Sequence, residues 1–464
     1  MPHSTRIAEK REYWSGRTGF VLATVGAAIG LGSIWKFPYE VGSNGGGAFV
    51  LFYLIGLALI VLPLMIVEFA IGRRGKSDAS GSVAVVAEMA GSSRWWSWLG
   101  LLGVVTAFLI LSFYSVIGGW AIGYVVETVR SGLPGSDAMA VQARFDALLA
   151  SPLQMASYHA AFMAVTALVV GRGIVHGIET ASKVLMPVLI ILLVLLSLYS
   201  MLAGDVAATF RFLFALDLEH VTPRVALEAL GLGFFSIGVG MAVMITYAAH
   251  AGPNIDLRQV AIMTIVGDTA ISLVSGLAIF PIVFANQLDP SSGPGLLFVT
   301  LPLAFSHMPF GPLAAIAFFA LLVVAALASA MSMLEMPVAF LHRRLGWRRP
   351  VATVACAFGC WLIGIATVLS FNLWAGWFPL SFLPGLGRAT AFDVLDHLTS
   401  NLLLPIGGLA LAIFGGWIMP AQFLADELVL GSRATSLLRA VLRYAATPAI
   451  LVIGLAALFL RSSS

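Results

Sequence analysis

The sequence predicts an all-α polytopic membrane protein, and three observations carry that reading. Hydrophobic residues make up 60% of the chain and charged ones 10%, with a mean hydropathy of +0.98, far too apolar for a globule with a water-facing surface. Apolar runs of about 20 residues, enough to cross a ~30 Å hydrocarbon core as a helix, recur along the whole chain. Lys and Arg are distributed unevenly between those runs.

The runs fall near 20–40, 48–72, 97–128, 155–171, 178–203, 225–250, 259–285, 311–341, 351–370, 396–419 and 440–460, about eleven in all. The opening MPHSTRIAEKREYWSGR is polar and basic and too long for the charged start of a signal peptide, so no cleavable leader is expected. With the N-terminus in the cytoplasm, most basic residues collect inside and only about seven of the 25 Lys and Arg remain elsewhere. Positive charge prefers cytoplasmic loops, so this orientation is expected, and an odd span count puts the C-terminus outside. Segments 129–154 and 286–310 then face outward, the second long enough to fold over the protein as a lid. The basic cluster from His342 to Arg349 suits topology and contact with anionic lipid headgroups.

Several function classes are excluded. Cys356 and Cys360 lie four apart on one expected helix with no His or acid beside them, which reads as packing and not as a disulfide or metal site. No nucleophile with a neighbouring base, phosphate loop or metal cluster is present, and the eight histidines are scattered. An enzyme is therefore not expected, nor an organic cofactor, nor a nucleic-acid partner.

The first run carries the functional signal. Gly26, Gly30 and Gly32 sit in GAAIGLGSIWKFPY and each weakens a helix by roughly 1 kcal/mol relative to Ala; Pro38 removes a backbone donor just beyond them. A break is predicted there. In lipid, backbone released from a helix survives only against protein or a wet cavity, so the break is a candidate site for ions and polar solutes. GLGFFSIGVG at 231–240 is a second interrupted run, and paired broken helices point to a transporter's midplane site. Three acids lie inside spans: Glu68, Asp268 and Glu335. An intramembrane carboxylate costs roughly 2.5–3.5 kcal/mol by insertion scales and is a functional hypothesis by default. Asp268 is far from any basic neighbour in sequence and is the most informative of the three; Glu68 and Glu335 are read as partners for broken backbone or a neighbouring helix.

Seven motifs in register resemble the neurotransmitter:sodium symporter family in its bacterial eleven-helix branch. They are Arg11, Trp14 and Gly19 before the first span, GLGSIWKFPY at 30–39, NGGGAF at 44–49, PLMIVEFAIGR at 63–73, FYSVIGGW at 113–120, ITYAAH at 245–250 and LDHLTSNLLLP at 395–405. The resemblance runs from about residue 11 to 460. It implies a five-plus-five inverted-repeat transporter fold with broken first and sixth helices: a cytoplasmic segment 1–18, a first repeat 19–203, an inverted second repeat 204–420, and an eleventh helix with the C-terminus at 421–464. It also implies a bacterial inner membrane location and secondary active uptake by alternating access.

By that resemblance, the amides around Gly30, Leu31 and Gly32 and the Tyr114 hydroxyl hold a substrate carboxylate, while carbonyls near Ala28 and Phe235 accept from its ammonium. Gly30 stands where amine transporters of the family carry an aspartate, so an amino acid is favoured over an amine. Ile110, Ile117, Phe235, Met241, Ser329 and Met333 would meet its side chain, mostly apolar groups that suit a neutral or hydrophobic one. Ser236 and Gly238 complete the sixth-helix break. Sodium is the implied ion. One site uses the carbonyls of Gly26, Ile29 and Ala325 and the Ser329 hydroxyl, with a neighbouring hydroxyl lost at Ala328. A second uses Ala28, Ser33, Ser236 and Asp268, where the family's asparagines are replaced by Ser33 and Gly267.

Asp268 with Tyr53 and Ser236 marks an anion or proton site. It could ligate sodium, stand in for chloride or carry a proton on the return step, and chloride independence with proton counter-transport is the preferred reading. Lys36 and Asp396 are the expected outer gate, as a loose pair. Arg11 and Trp14 match the inner latch, but the usual acidic partner is Arg343 here, so closure must run through another group such as Glu9 or Glu12. The expected function is sodium-coupled amino-acid symport; a sodium-independent or proton-coupled exchanger on the same fold, or a non-transporting amino-acid sensor, is the alternative.

Overall fold

The computed structural model describes residues 12–135, 137–217, 221–290, 295–382 and 387–459. Among them there is no strand, and nine helices are long and apolar enough to cross a membrane. A tenth span is the bent pair Arg17–Ala28 and Gly32–Ser43, whose halves meet at 51°. The expected run at 225–250 is the sixth span. It is split into Pro223–Ile237 and Val243–Ala248, each half too short to cross alone, which brings the count to the predicted eleven.

Both predicted breaks are present. At the first, Ile29 leaves the helix with ψ 112°, and the chain resumes through a wide π-helical turn over Gly32–Lys36. At the second, Gly238, Gly240 and Ala242 all take positive φ, at 70°, 91° and 59°. Two glycines adopt this without a Cβ penalty, whereas Ala242 pays it and must be held by neighbours. The two breaks touch: a Cβ built on Gly32 would lie 2.8 Å from the Cα of Ser236.

The third and eighth spans follow the same plan. Ser97–Ser131 and Gly311–Leu345 are each 35 residues long, pack against one another, and occupy the same position within their sets of five. Outward stripes such as Val351, Val354, Phe358 and Leu362 on the ninth span, at helical spacing, are exposed apolar surface of the kind lipid covers. The polar segment 129–154, expected to face outward, contains the helix Ala138–Ala150. Within the expected lid, Leu296–Ser306 is helical and mostly buried; Phe298 lies among Trp35, Trp120, Tyr124, Phe145 and Phe319. Cys356 and Cys360 are buried and unbonded to each other.

Candidate functional site

A cavity lies where the two breaks meet the third and eighth spans. It is lined by Ala28, Gly30, Leu31 and Gly32 from the first span, and by Phe235, Ser236, Gly238 and Met241 from the sixth. Ile110, Tyr114, Ser329 and Met333 close it from the third and eighth. Twelve of the thirteen expected substrate residues thus line one chamber. Ile117 is buried outside the lining, and Ala27, Ile237, Val243 and Ser332 line it without having been expected. Those four had no signal of their own in sequence, being ordinary apolar or hydroxyl residues on the cavity side of their helices.

The polar part of the lining is built from backbone. The Leu31 amide, unpaired by the break, donates to the Tyr114 hydroxyl at 3.1 Å. A Cβ on Gly30 would lie 2.6 Å from the same hydroxyl and would strike the Ser329 side chain, so glycine keeps this part open. Met241, Met333, Ile110 and the half-buried Phe235 supply the apolar part of the lining. Met241 curls back over the break, with its methyl where a Cβ on Gly238 would go. Backbone amides and a phenol together with flexible apolar groups in one chamber fit a small molecule with a carboxylate and a neutral side chain.

Ser329 gathers carbonyls released by the first break. Its hydroxyl lies 3.0 Å from the Ile29 oxygen, 3.2 Å from that of Ala27 and 3.5 Å from that of Gly26; Ala325 is one helical turn earlier. Ala328 also faces Gly26, with its Cβ 3.5 Å from the position a Gly26 Cβ would take, and brings no oxygen. Several neutral oxygens converging on one hydroxyl are a donor set that suits a hard monovalent ion.

Asp268 is fully buried and held by hydroxyls from three other spans. Tyr53 donates to Oδ2 at 2.9 Å, Ser236 to Oδ1 at 3.1 Å, and Ser33 makes a third, short bond to Oδ1. Ser33 and Ser236 are also 3.1 Å apart. Gly267 points away from this cluster, toward Val25. Glu68, the other fully buried acid near the breaks, accepts instead from the amides of Gly240 at 2.9 Å and Met244 at 3.1 Å. These flank Ala242, so the carboxylate clamps the left-handed turn. Glu335 pairs with Arg349.

The expected gate residues lie on opposite faces of the molecule. Lys36 does not pair with Asp396: its Nζ sits 4.3 Å above the Phe235 ring, a cation–π contact, and Asp396 accepts from Ser400. Without a second nitrogen to fork onto a carboxylate, lysine takes the aromatic face instead. On the N-terminal face, Arg11 and Glu9 lie outside the described residues. Trp14 is buried, donating from Nε1 to the Tyr247 carbonyl at 2.9 Å and from its amide to that of His250 at 3.1 Å. Glu12 does not reach Arg343; its carboxylate takes the Ile174 amide at 2.9 Å. Arg343 donates to His250 Nε2 at 2.9 Å and to the Lys76 carbonyl at 3.2 Å.

The sequence profile of the Sodium:neurotransmitter symporter family matches residues 11–147 and 149–382. The chain belongs to that family. Among its relatives, the sodium-dependent transporter YhdH of Bacillus subtilis is 37% identical over 91% of this chain and 90% of its own length. A sodium-dependent transporter of Haemophilus influenzae is 33% identical over 89% and 90%, and the sodium-dependent dopamine transporter of Bos taurus 24% over 92% and 66%. The crystal structure of MhsT in complex with L-phenylalanine superposes with a TM-score of 0.88 at 39% identity, covering 97% of this chain and all of that one. This symporter is accordingly a multi-pass membrane transporter with the inverted-repeat fold that its sequence resembles.

Proposed function

We propose that this protein imports a neutral or hydrophobic amino acid together with sodium by alternating access, without requiring chloride. One observation carries the reading: the two helix breaks meet at a chamber lined both by released backbone and a phenol, at Gly30, Leu31 and Tyr114, and by the flexible apolar side chains of Met241 and Met333. The substrate carboxylate takes the amides and the phenol, its ammonium the carbonyls near Ala28 and Phe235, and its side chain displaces the flexible Met241. Sodium sits among the Gly26 and Ile29 carbonyls, the Ala325 carbonyl and Ser329, where it draws the two halves of the first span onto the eighth. The carboxylate of Asp268 supplies the fixed negative charge at the second ion site, with Ser33, Ser236 and Tyr53 as its partners. The repeats are 19–203 and 204–420, and the N-terminal face is cytoplasmic in a bacterial inner membrane, in keeping with the placement of Lys and Arg.

The loss of hydroxyls at Ala328 and of amides at Ser33 and Gly267 favours weak sodium affinity. Exchange or proton coupling on the same fold is therefore the reading to test against. Flux of labelled neutral amino acids into proteoliposomes decides between them. The expected result is accumulation driven by an inward sodium gradient, abolished in choline and unaffected when gluconate replaces chloride. Equal flux in choline, or flux that follows only a pH gradient, overturns the sodium-coupled reading.

A further inference from the structure

A second cavity, of about 280 Å³, opens on the face opposite the N-terminal segment, where the third span ends. Tyr124 and Glu127 of that span line it, with Arg144, Ala147 and Leu148 of the helix Ala138–Ala150 and Gln154 at the start of the fourth span. None of these residues lines the chamber at the breaks. An acid and a base therefore face one space, and they are not bonded to each other. Arg144 donates to the Gly132 carbonyl at 2.7 Å and to the Ser131 hydroxyl at 3.3 Å, which fixes the guanidinium and leaves several of its N–H groups unused. Glu127 accepts at Oε1 from Gln154 at 3.3 Å, and among the described residues neither charged side chain has an ion-pair partner. We propose that this cavity is a second binding site, for a zwitterionic amino acid whose carboxylate takes Arg144, whose ammonium takes Glu127 and whose apolar side chain lies against Tyr124 and Leu148.

The two charges select the ligand. A simple anion drawn to Arg144 meets Glu127, and a simple cation drawn to Glu127 meets Arg144, so either leaves a like charge facing it. A zwitterion makes a charge-assisted hydrogen bond to each. Asp146, the acid on the outer helix, accepts from Gln142 and is not part of the lining. The chamber at the breaks has no ionised side chain in its lining, whereas here the ligand's own charges are both met by the protein, so binding does not call for sodium. The cavity is also joined to the lid segment. Phe145, next to Arg144, stacks on Phe298 with centroids 5.5 Å apart, and the Tyr124 hydroxyl donates to the Phe298 carbonyl at 2.6 Å. Phe298 in turn meets Trp35 of the first break edge-on at 6.3 Å. A ligand that holds Arg144 and Tyr124 steadies Ala138–Ala150 against Leu296–Ser306, the segment that touches the first break.

L-Leucine is the probe, with N-acetyl-leucinamide as the same side chain without either charge. Hydrogen–deuterium exchange is followed on the full-length protein in nanodiscs, in sodium-free choline buffer at fixed pH. At a leucine concentration about ten times its midpoint, segments 138–154 and 296–306 should exchange about tenfold more slowly, and N-acetyl-leucinamide should leave them unchanged. Glu127→Gln, which can still accept from Gln154, and Arg144→Gln should each raise the midpoint about tenfold or more; Arg144→Lys should recover part of that loss, and Asp146→Asn should behave as the native protein. Tyr114→Phe, which alters the chamber at the breaks and not this cavity, should keep the full effect. No protection, equal protection by N-acetyl-leucinamide, or protection that survives both charge-removing variants overturns the proposal. Protection lost in Tyr114→Phe also overturns it, by placing the ligand in the chamber at the breaks. Leucine protection that meets these conditions in a protein with no amino-acid flux would sustain the outer site while refuting the transport reading.

Discussion

Two buried carboxylates stand beside the same broken helices and are held in different ways. Glu68 accepts from peptide amides at 240 and 244; Asp268 accepts from three side-chain hydroxyls, of Ser33, Tyr53 and Ser236. Amides in a break cannot turn away without unfolding it, whereas hydroxyls rotate and can offer a lone pair instead of a proton. Glu68 is therefore part of the scaffold, and Asp268 sits in a shell that can re-form around an ion.

The largest effect that separates the two concerns stability. Glu68→Ala strands two buried amides next to the strained Ala242, at about 1–3 kcal/mol each; thermal unfolding in detergent should show a loss of about 2–6 kcal/mol or failure to fold, with Glu68→Gln losing about half as much. Asp268→Asn should leave melting nearly unchanged yet abolish uptake in chloride-free buffer, with any residual uptake appearing only on adding chloride. Unchanged, chloride-independent kinetics in that variant would remove the functional half of the comparison. Tyr53→Phe removes one of three donors, worth about 1 kcal/mol and so about a fivefold change in the sodium concentration for half-maximal uptake. Ala328→Ser is the smallest change: a hydroxyl facing Gly26 should lower that same concentration about two- to threefold, by adding one oxygen to the site around Ser329.

Much of this arrangement was legible in the chain because it is written locally. Glycines at 26, 30 and 32 and at 238 and 240 mark both breaks, and an acid inside an apolar run marks Asp268. Gaps came where the partner is remote or the rule is broken. His250 and Arg343 are 93 positions apart, beyond any helical periodicity, so Glu9 or Glu12 was the expected partner on charge alone. Lys36 was expected to seek a carboxylate, but the break in the sixth span turns Phe235 toward it first. Ala242 at φ 59° violates the preference that made the neighbouring glycines informative; only the clamp from Glu68, contributed by another span, accounts for it.

The central claim is that two unwound segments turn their peptide dipoles toward a zwitterion whose binding is completed by sodium. Equilibrium binding of a labelled hydrophobic amino acid to purified protein, in sodium and in choline, tests it most directly. Saturable binding that requires sodium and is lost in Tyr114→Phe is the predicted result; binding that is indifferent to sodium, or that survives without the Tyr114 hydroxyl, would contradict it.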